Sequence, residues 1–118
     1  MTTNEIAQKL YENTSKGDHA RNYELFSADA MSYEDGPDPA NRETIGLQAI
    51  IARCNKFGEN IEKELSIAMT EPLVAGNTIA YKLIIEFEFK DTGYFKLEEL
   101  CLYKVKDGKI VYEEYFNQ

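Results

Sequence analysis

The chain predicts an α+β fold, with amphipathic helices first and an antiparallel meander after them. Two observations carry this. In the first half, apolar residues recur at helical spacing: Leu47, Ile50, Ile51, Cys54 and Phe57 follow the i, i+3, i+4, i+7 rule. From Leu65 on the period changes to two, and turn signals at Ala75-Gly76-Asn77, Asp91-Thr92-Gly93 and Asp107-Gly108 divide the remainder. With 118 residues the chain reads as one domain over residues 1–118, long enough for a single core but not for two.

Each element follows in order. Thr2-Thr3-Asn4-Glu5 fits a capping box, and Ile6 and Leu10 lie one turn apart in the helix it starts. Gly17 stops that helix. Asp18 is a good N-cap for a second, short helix in which Ala20, Tyr23 and Phe26 share a face. Ala30 to Glu34 reads as a short strand. Gly36-Pro37-Asp38-Pro39 is irregular, because its prolines lack backbone donors and bias the preceding residues away from helix. The third helix carries the Leu47 to Phe57 stripe and ends at Gly58. Leu65, Ile67 and Met69 then alternate with polar or small residues. Tyr81, Leu83, Ile85, Phe87 and Phe89 alternate with a mostly charged face. A third long strand runs from about Tyr94 to Val105, and the last covers Lys109 to Phe116.

The apolar face of this sheet must be covered, and the helices are the available cover. Long antiparallel strands twist and curl, so a curled sheet partly closed by helices leaves a concavity. The opposite face carries charges together with Ile84, Leu100 and Leu102. Those three are either a dimer interface or scattered surface apolar residues.

The formal net charge of −8 repels phosphate backbones and anionic lipid heads, which argues against nucleic-acid and membrane partners. Met1 to Leu10 holds no apolar run of signal-peptide length, and no segment approaches the ~20 apolar residues that span a bilayer. The expected setting is therefore cytoplasmic, with Cys54 and Cys101 reduced. One histidine, His19, does not make a multi-histidine metal centre, and no Gly-rich phosphate loop is present.

Two segments carry a family resemblance. One runs from Gly17-Asp18 through Leu25-Phe26 and Asp29-Ala30 to Tyr33-Glu34-Asp35-Gly36. The other is Val105-Lys106-Asp107-Gly108-Lys109-Ile110 followed by Glu113-Glu114-Tyr115-Phe116. Together they resemble the SnoaL-like branch of the nuclear transport factor 2-like superfamily, to which ketosteroid isomerase also belongs. The resemblance implies a cone-like fold, with three N-terminal helices packed on a curved antiparallel sheet that encloses an apolar pocket. It also implies a homodimer, a small hydrophobic ligand and no cofactor. Ketosteroid isomerase uses an Asp base and an oxyanion hole made by a Tyr and a protonated Asp. Asp35 matches the base position. The tyrosine position aligns with Leu10, one residue from Tyr11, and the aspartic acid position with Cys101, a weak donor. SnoaL-like cyclases place a catalytic acid near Cys101, and Glu99 lies two residues earlier on the same strand face.

The candidate catalytic residues are thus Asp35 and Glu99. A carboxylate beside an apolar pocket has its pKa raised by desolvation, which suits proton transfer near neutral pH. The competing readings are a turn-forming loop carboxylate for Asp35 and, in another strand register, rim positions for Glu98 and Glu99. Glu34 is read as pointing to the solvated side, and His19 as a surface residue. One of Glu113 and Glu114 faces the concave side. The expected pocket lining is Tyr11, Tyr33, Phe57, Tyr81, Ile85, Phe87, Cys101 and Tyr103, with Tyr115 a further candidate.

Two functions compete. One is a cofactor-independent isomerase or cyclase that moves protons on a small hydrophobic carbonyl compound. The other is a non-catalytic ligand-binding or self-association module of the same fold. An epoxide hydrolase like limonene epoxide hydrolase needs an Asp-Arg-Asp arrangement. The arginines Arg21, Arg42 and Arg53 all lie off the predicted strands.

Overall fold

A computed structural model describes residues 1–117. Helix α1 (Thr3–Ser15) opens on the capping box: Glu5 N donates to Thr2 Oγ1 at 3.1 Å and Thr2 N to Glu5 Oε1 at 2.9 Å. Its Ile6 and Leu10 are fully buried. The second helix, His19–Leu25, is a 3₁₀ segment, and Asp18 gives it no side-chain cap. Asn22 ties this segment to α1 instead, accepting from Asn13 Nδ2 at 3.1 Å and donating to Thr14 Oγ1 at 3.0 Å.

Strand β1 (Phe26–Glu34) starts four residues before the stretch the sequence marks, and a 3₁₀ turn, Pro39–Asn41, follows it. Strand β2 (Glu43–Ile45) is too short to show a period. Helix α2 (Leu47–Glu59) begins at Gly46, whose φ of 92° is open to glycine and strained for other residues. The rest is strand: β3 (Ile61–Met69), β4 (Leu73–Ala75), β5 (Thr78–Phe89), β6 (Gly93–Lys106) and β7 (Lys109–Phe116).

The strand order is β2-β1-β7-β6-β5-β3, with β4 on the edge of β5. All pairs are antiparallel except β1 with β7, so the sheet is mostly antiparallel with one parallel seam where the first strand meets the last. Tyr81, Leu83, Ile85 and Phe87 of β5 face the helices, in register with Cys101, Glu99, Leu97 and Phe95 of β6. Irregularities in β1–β7, β3–β5 and β6–β7 add twist and curve the sheet. The one between Glu64 and Ser66 displaces Leu65 from its predicted inward position, leaving it 42% exposed.

Asp107 (φ 52°) and Gly108 (φ 75°) form the β6–β7 hairpin with both central residues left-handed, as in a type I′ turn. Among the described residues no helix is long and apolar enough to cross a membrane.

Candidate functional site

A cleft of about 730 Å³ lies between the inner face of the sheet and the cover formed by α2 and the 3₁₀ segment. Its outer part is aromatic. Phe57 of α2 meets Phe87 and Phe89 edge-on at 5.9 and 5.7 Å, and Phe89 contacts Phe95 at 5.5 Å. Phe57 and Phe95 are about half exposed and form the mouth, with His19 and Glu64 3.7 Å apart beside them.

The inner part is polar. Three carboxyls reach it from three strands: Glu34 at the end of β1, Glu99 on β6 and Glu113 on β7. Glu113 is 2% exposed. Tyr115 Oη donates to its Oε2 at 2.6 Å, and Arg53 Nη2 approaches its Oε1 at 3.7 Å. Burial pushes the Glu113 pKa up, while Tyr115, Ser32 and Arg53 oppose the rise. Arg53 is itself held by α2 and β1–β2. Its Nη1 donates to Thr44 Oγ1 and its Nη2 to Ser32 Oγ, each at 3.0 Å.

Glu99 is 9% exposed, with Cys101 Sγ at 3.7 Å from Oε1. Burial, then repulsion from Glu34, moves its pKa from 4.5 to about 7. Asn117 Nδ2 donates to Glu34 Oε1 at 2.9 Å and also hydrogen-bonds Glu99. Deeper still, the Tyr81 and Tyr103 rings stack and their hydroxyls share a 2.9 Å hydrogen bond. Burial raises both phenols, so they stay neutral donors.

The sequence-predicted residues divide into two groups. Glu99, Phe57, Tyr81, Ile85, Phe87 and Tyr103 line the cleft. Cys101 is fully buried beneath Glu99 rather than on the wall, and burial raises its pKa far above the thiol range. Asp35, Tyr11 and Tyr33 lie outside the cleft lining. Asp35 follows the last residue of β1, is 53% exposed and pairs with Arg42 Nε at 3.6 Å. Alternation along β1 turns Ser32 and Glu34 inward, so Tyr33 faces out and Glu34 takes the inner place read for its neighbour. On α1 the cleft residue is Thr14, while Leu10 is core and Tyr11 sits half-buried to one side.

Sequence reasoning missed Arg53, Glu34 and Asn117 and left Glu113 undecided. For Arg53 a signal existed: Ile50, Arg53, Cys54 and Phe57 make one helical stripe, so the arginine shares the buried face. Among the described residues no group of three His, Cys, Asp or Glu is arranged to hold a metal. A carboxyl titrating near 7 beside neutral hydroxyl donors can give and take a proton at neutral pH.

Comparison with known proteins places this architecture. A candidate SnoaL-like polyketide cyclase from Mesorhizobium loti is 30% identical, with a TM-score of 0.89 over 98% of this chain and 99% of that one. A cystatin-like-fold protein from Xanthomonas campestris (22% identity, TM-score 0.80, covering 99% and 91%) shares the fold. So does an NTF2-like protein from Burkholderia thailandensis (19%, 0.83, 100% and 92%). Among curated proteins, none matches the chain. The SnoaL-like domain family matches residues 1–117, and the chain belongs to that family.

Proposed function

We propose that this protein is an acid–base enzyme that moves a proton on a small hydrophobic carbonyl compound held in the cleft, with Glu99 as the proton-transfer group. The observation that carries this is a nearly buried carboxyl on a cleft wall, titrating near neutrality because of burial and a neighbouring carboxylate. The likeness to a candidate polyketide cyclase supports carbonyl chemistry. The test is deuterium exchange at the α-carbon of small ketones in D₂O, followed by proton NMR. Wild-type protein should accelerate exchange at least ~100-fold over Glu99→Gln, and Asp35→Asn should match wild type. Equal exchange in Glu99→Gln and wild type would overturn the assignment.

A second reading is a non-catalytic binding module. It is favoured by Leu10 and Cys101, the residues that the resemblance to ketosteroid isomerase aligns with its oxyanion donors: both are fully buried, one apolar and one a weak donor. The proposed working form is a cytoplasmic homodimer joined through the outer sheet face. That face exposes Leu100 (47%) and Phe116 (44%) beside half-buried Ile84 and Leu102.

A further inference from the structure

The cleft's charge is uneven in a way the proton-transfer reading does not use. Glu34 and Glu99 approach one another across a single neutral amide, that of Asn117. Among the described residues neither carboxylate has a lysine, arginine or histidine within ion-pair distance. Arg53, the arginine on the wall, is already engaged by Thr44, Ser32 and Glu113, and His19 faces Glu64 at the mouth. Glu99 is about nine-tenths buried, and its partner besides Asn117 is a thiol at 3.7 Å, a weak donor. Buried carboxylates are costly without a counter-charge.

From Glu99 the inner wall turns apolar toward the mouth, through Leu97 and Phe95 on β6 facing Ile85 and Phe87 on β5. Four strand residues span about 13 Å. One end of the cleft is therefore anionic, and the rest is an aliphatic and aromatic channel that opens between Phe57 and Phe95.

We infer that this cleft also takes an amphipathic organic cation, a protonated amine seated between Glu34 and Glu99 with its apolar body lying along Leu97, Ile85 and Phe87. The ammonium supplies the missing counter-charge, and the aromatic walls favour a cation over an anion. A carboxylate ligand would meet Glu34, Glu99 and Glu113 together. The inference rests on the cleft being a small-molecule site, and it holds whether or not the amine is turned over.

The groups facing Glu99 are Glu34 from β1, Leu83 from β5, Cys101 from its own strand, Glu113 from β7 with Arg53 of α2 behind it, and Asn117. Of these, Glu34 and Glu99 supply charge that Arg53 does not meet. Amine affinity should therefore rise with pH as Glu99 ionises.

The experiment is amide-resolved NMR titration of the full chain with octylamine, 1-octanol and octanoate at about pH 8, where the amine is protonated. Octylamine should bind about tenfold or more tighter than octanol, and octanoate weaker than either. The shifts should centre on Ile85, Leu97 and Glu99. Glu34→Gln and Glu99→Gln should each cut the amine preference to about threefold or less. Glu98→Gln, on the outer face of the same strand, should leave it unchanged. Octanol binding at these residues as tightly as octylamine overturns the cation and keeps the cleft as a small-molecule site. Shifts outside the cleft, or none with all three probes, overturn both readings. A preference that survives both glutamine variants overturns the placement between Glu34 and Glu99. The wild-type series decides the inference even where a variant fails to fold.

Discussion

At the scale of single residues, the site's properties come from burial more than from residue type. Glu98 and Glu99 are adjacent in sequence. Glu98 lies on the solvent side, 2.8 Å from Lys82, and its pKa is lowered by that contact. Glu99 points inward and titrates near 7. This difference has a consequence for stability. An acid whose folded pKa is raised favours folding fully below its unfolded value of 4.5. The advantage is lost as pH rises through about 7. The loss attached to Glu99 is about 3 kcal/mol or less, at ~1.4 kcal/mol per tenfold. Denaturation midpoints should fall between pH 4.5 and 7 in wild type. In Glu99→Gln the fall should be shallower, with a residue of the slope left by Glu113, whose raised pKa acts in the same direction. The cysteines separate in the same way. Cys54 is half-buried on the cleft wall, whereas Cys101 is fully buried with its thiol held protonated. Mass spectrometry after maleimide treatment should find Cys54 modified in the native protein and Cys101 modified only after unfolding.

At the scale of elements, local chemistry sets where helices and turns begin, and packing sets what they become. The capping box of α1 forms as the Thr2 to Glu5 spacing dictates. Asp18 has the right side chain for a cap, yet the segment after it is pinned through Asn22 to α1 and winds as 3₁₀. The β6–β7 hairpin is constrained twice at Gly108. Its φ of 75° disfavours any side chain, and an added Cβ would stand 3.0 Å from the Met1 nitrogen. Gly108→Ala should therefore cost roughly 1–3 kcal/mol in urea denaturation. A smaller loss would show that the N-terminus moves aside freely.

At the scale of the whole molecule, the two faces of the sheet present different surfaces. The inner face builds the cleft. The outer face combines the exposed Leu100 and Phe116 with the Lys82–Glu98 ion pair, and a face of this kind suits a second copy of the chain. Analytical ultracentrifugation at micromolar concentration should give twice the 13.5 kDa chain mass, and Leu100→Glu should shift the protein to monomer with little loss of fold. A wild-type monomer would remove the outer face as an assembly surface.

Several features were determined by sequence alone: the α+β class, the order of the long elements, the inward stripe of β5 and the place of Glu99 beside it. Periods of 3.6 and two are local properties, and each long element repeats its signal several times. What only the tertiary structure decided was which carboxyls meet. A two-residue hairpin without irregularity would pair Tyr103 with Tyr112 and turn Glu114 inward. A register shift between Lys104 and Val105 instead pairs Tyr103 with Glu113, which places Glu113 and Tyr115 in the cleft. Asp35 and Glu34 exchange roles for a similar reason: β1 keeps its alternation through Glu34 because β7 lies beside it in parallel, and the chain leaves the sheet at Asp35. One inserted residue or one neighbouring strand reverses the direction of a side chain without changing the pattern that predicts the strand.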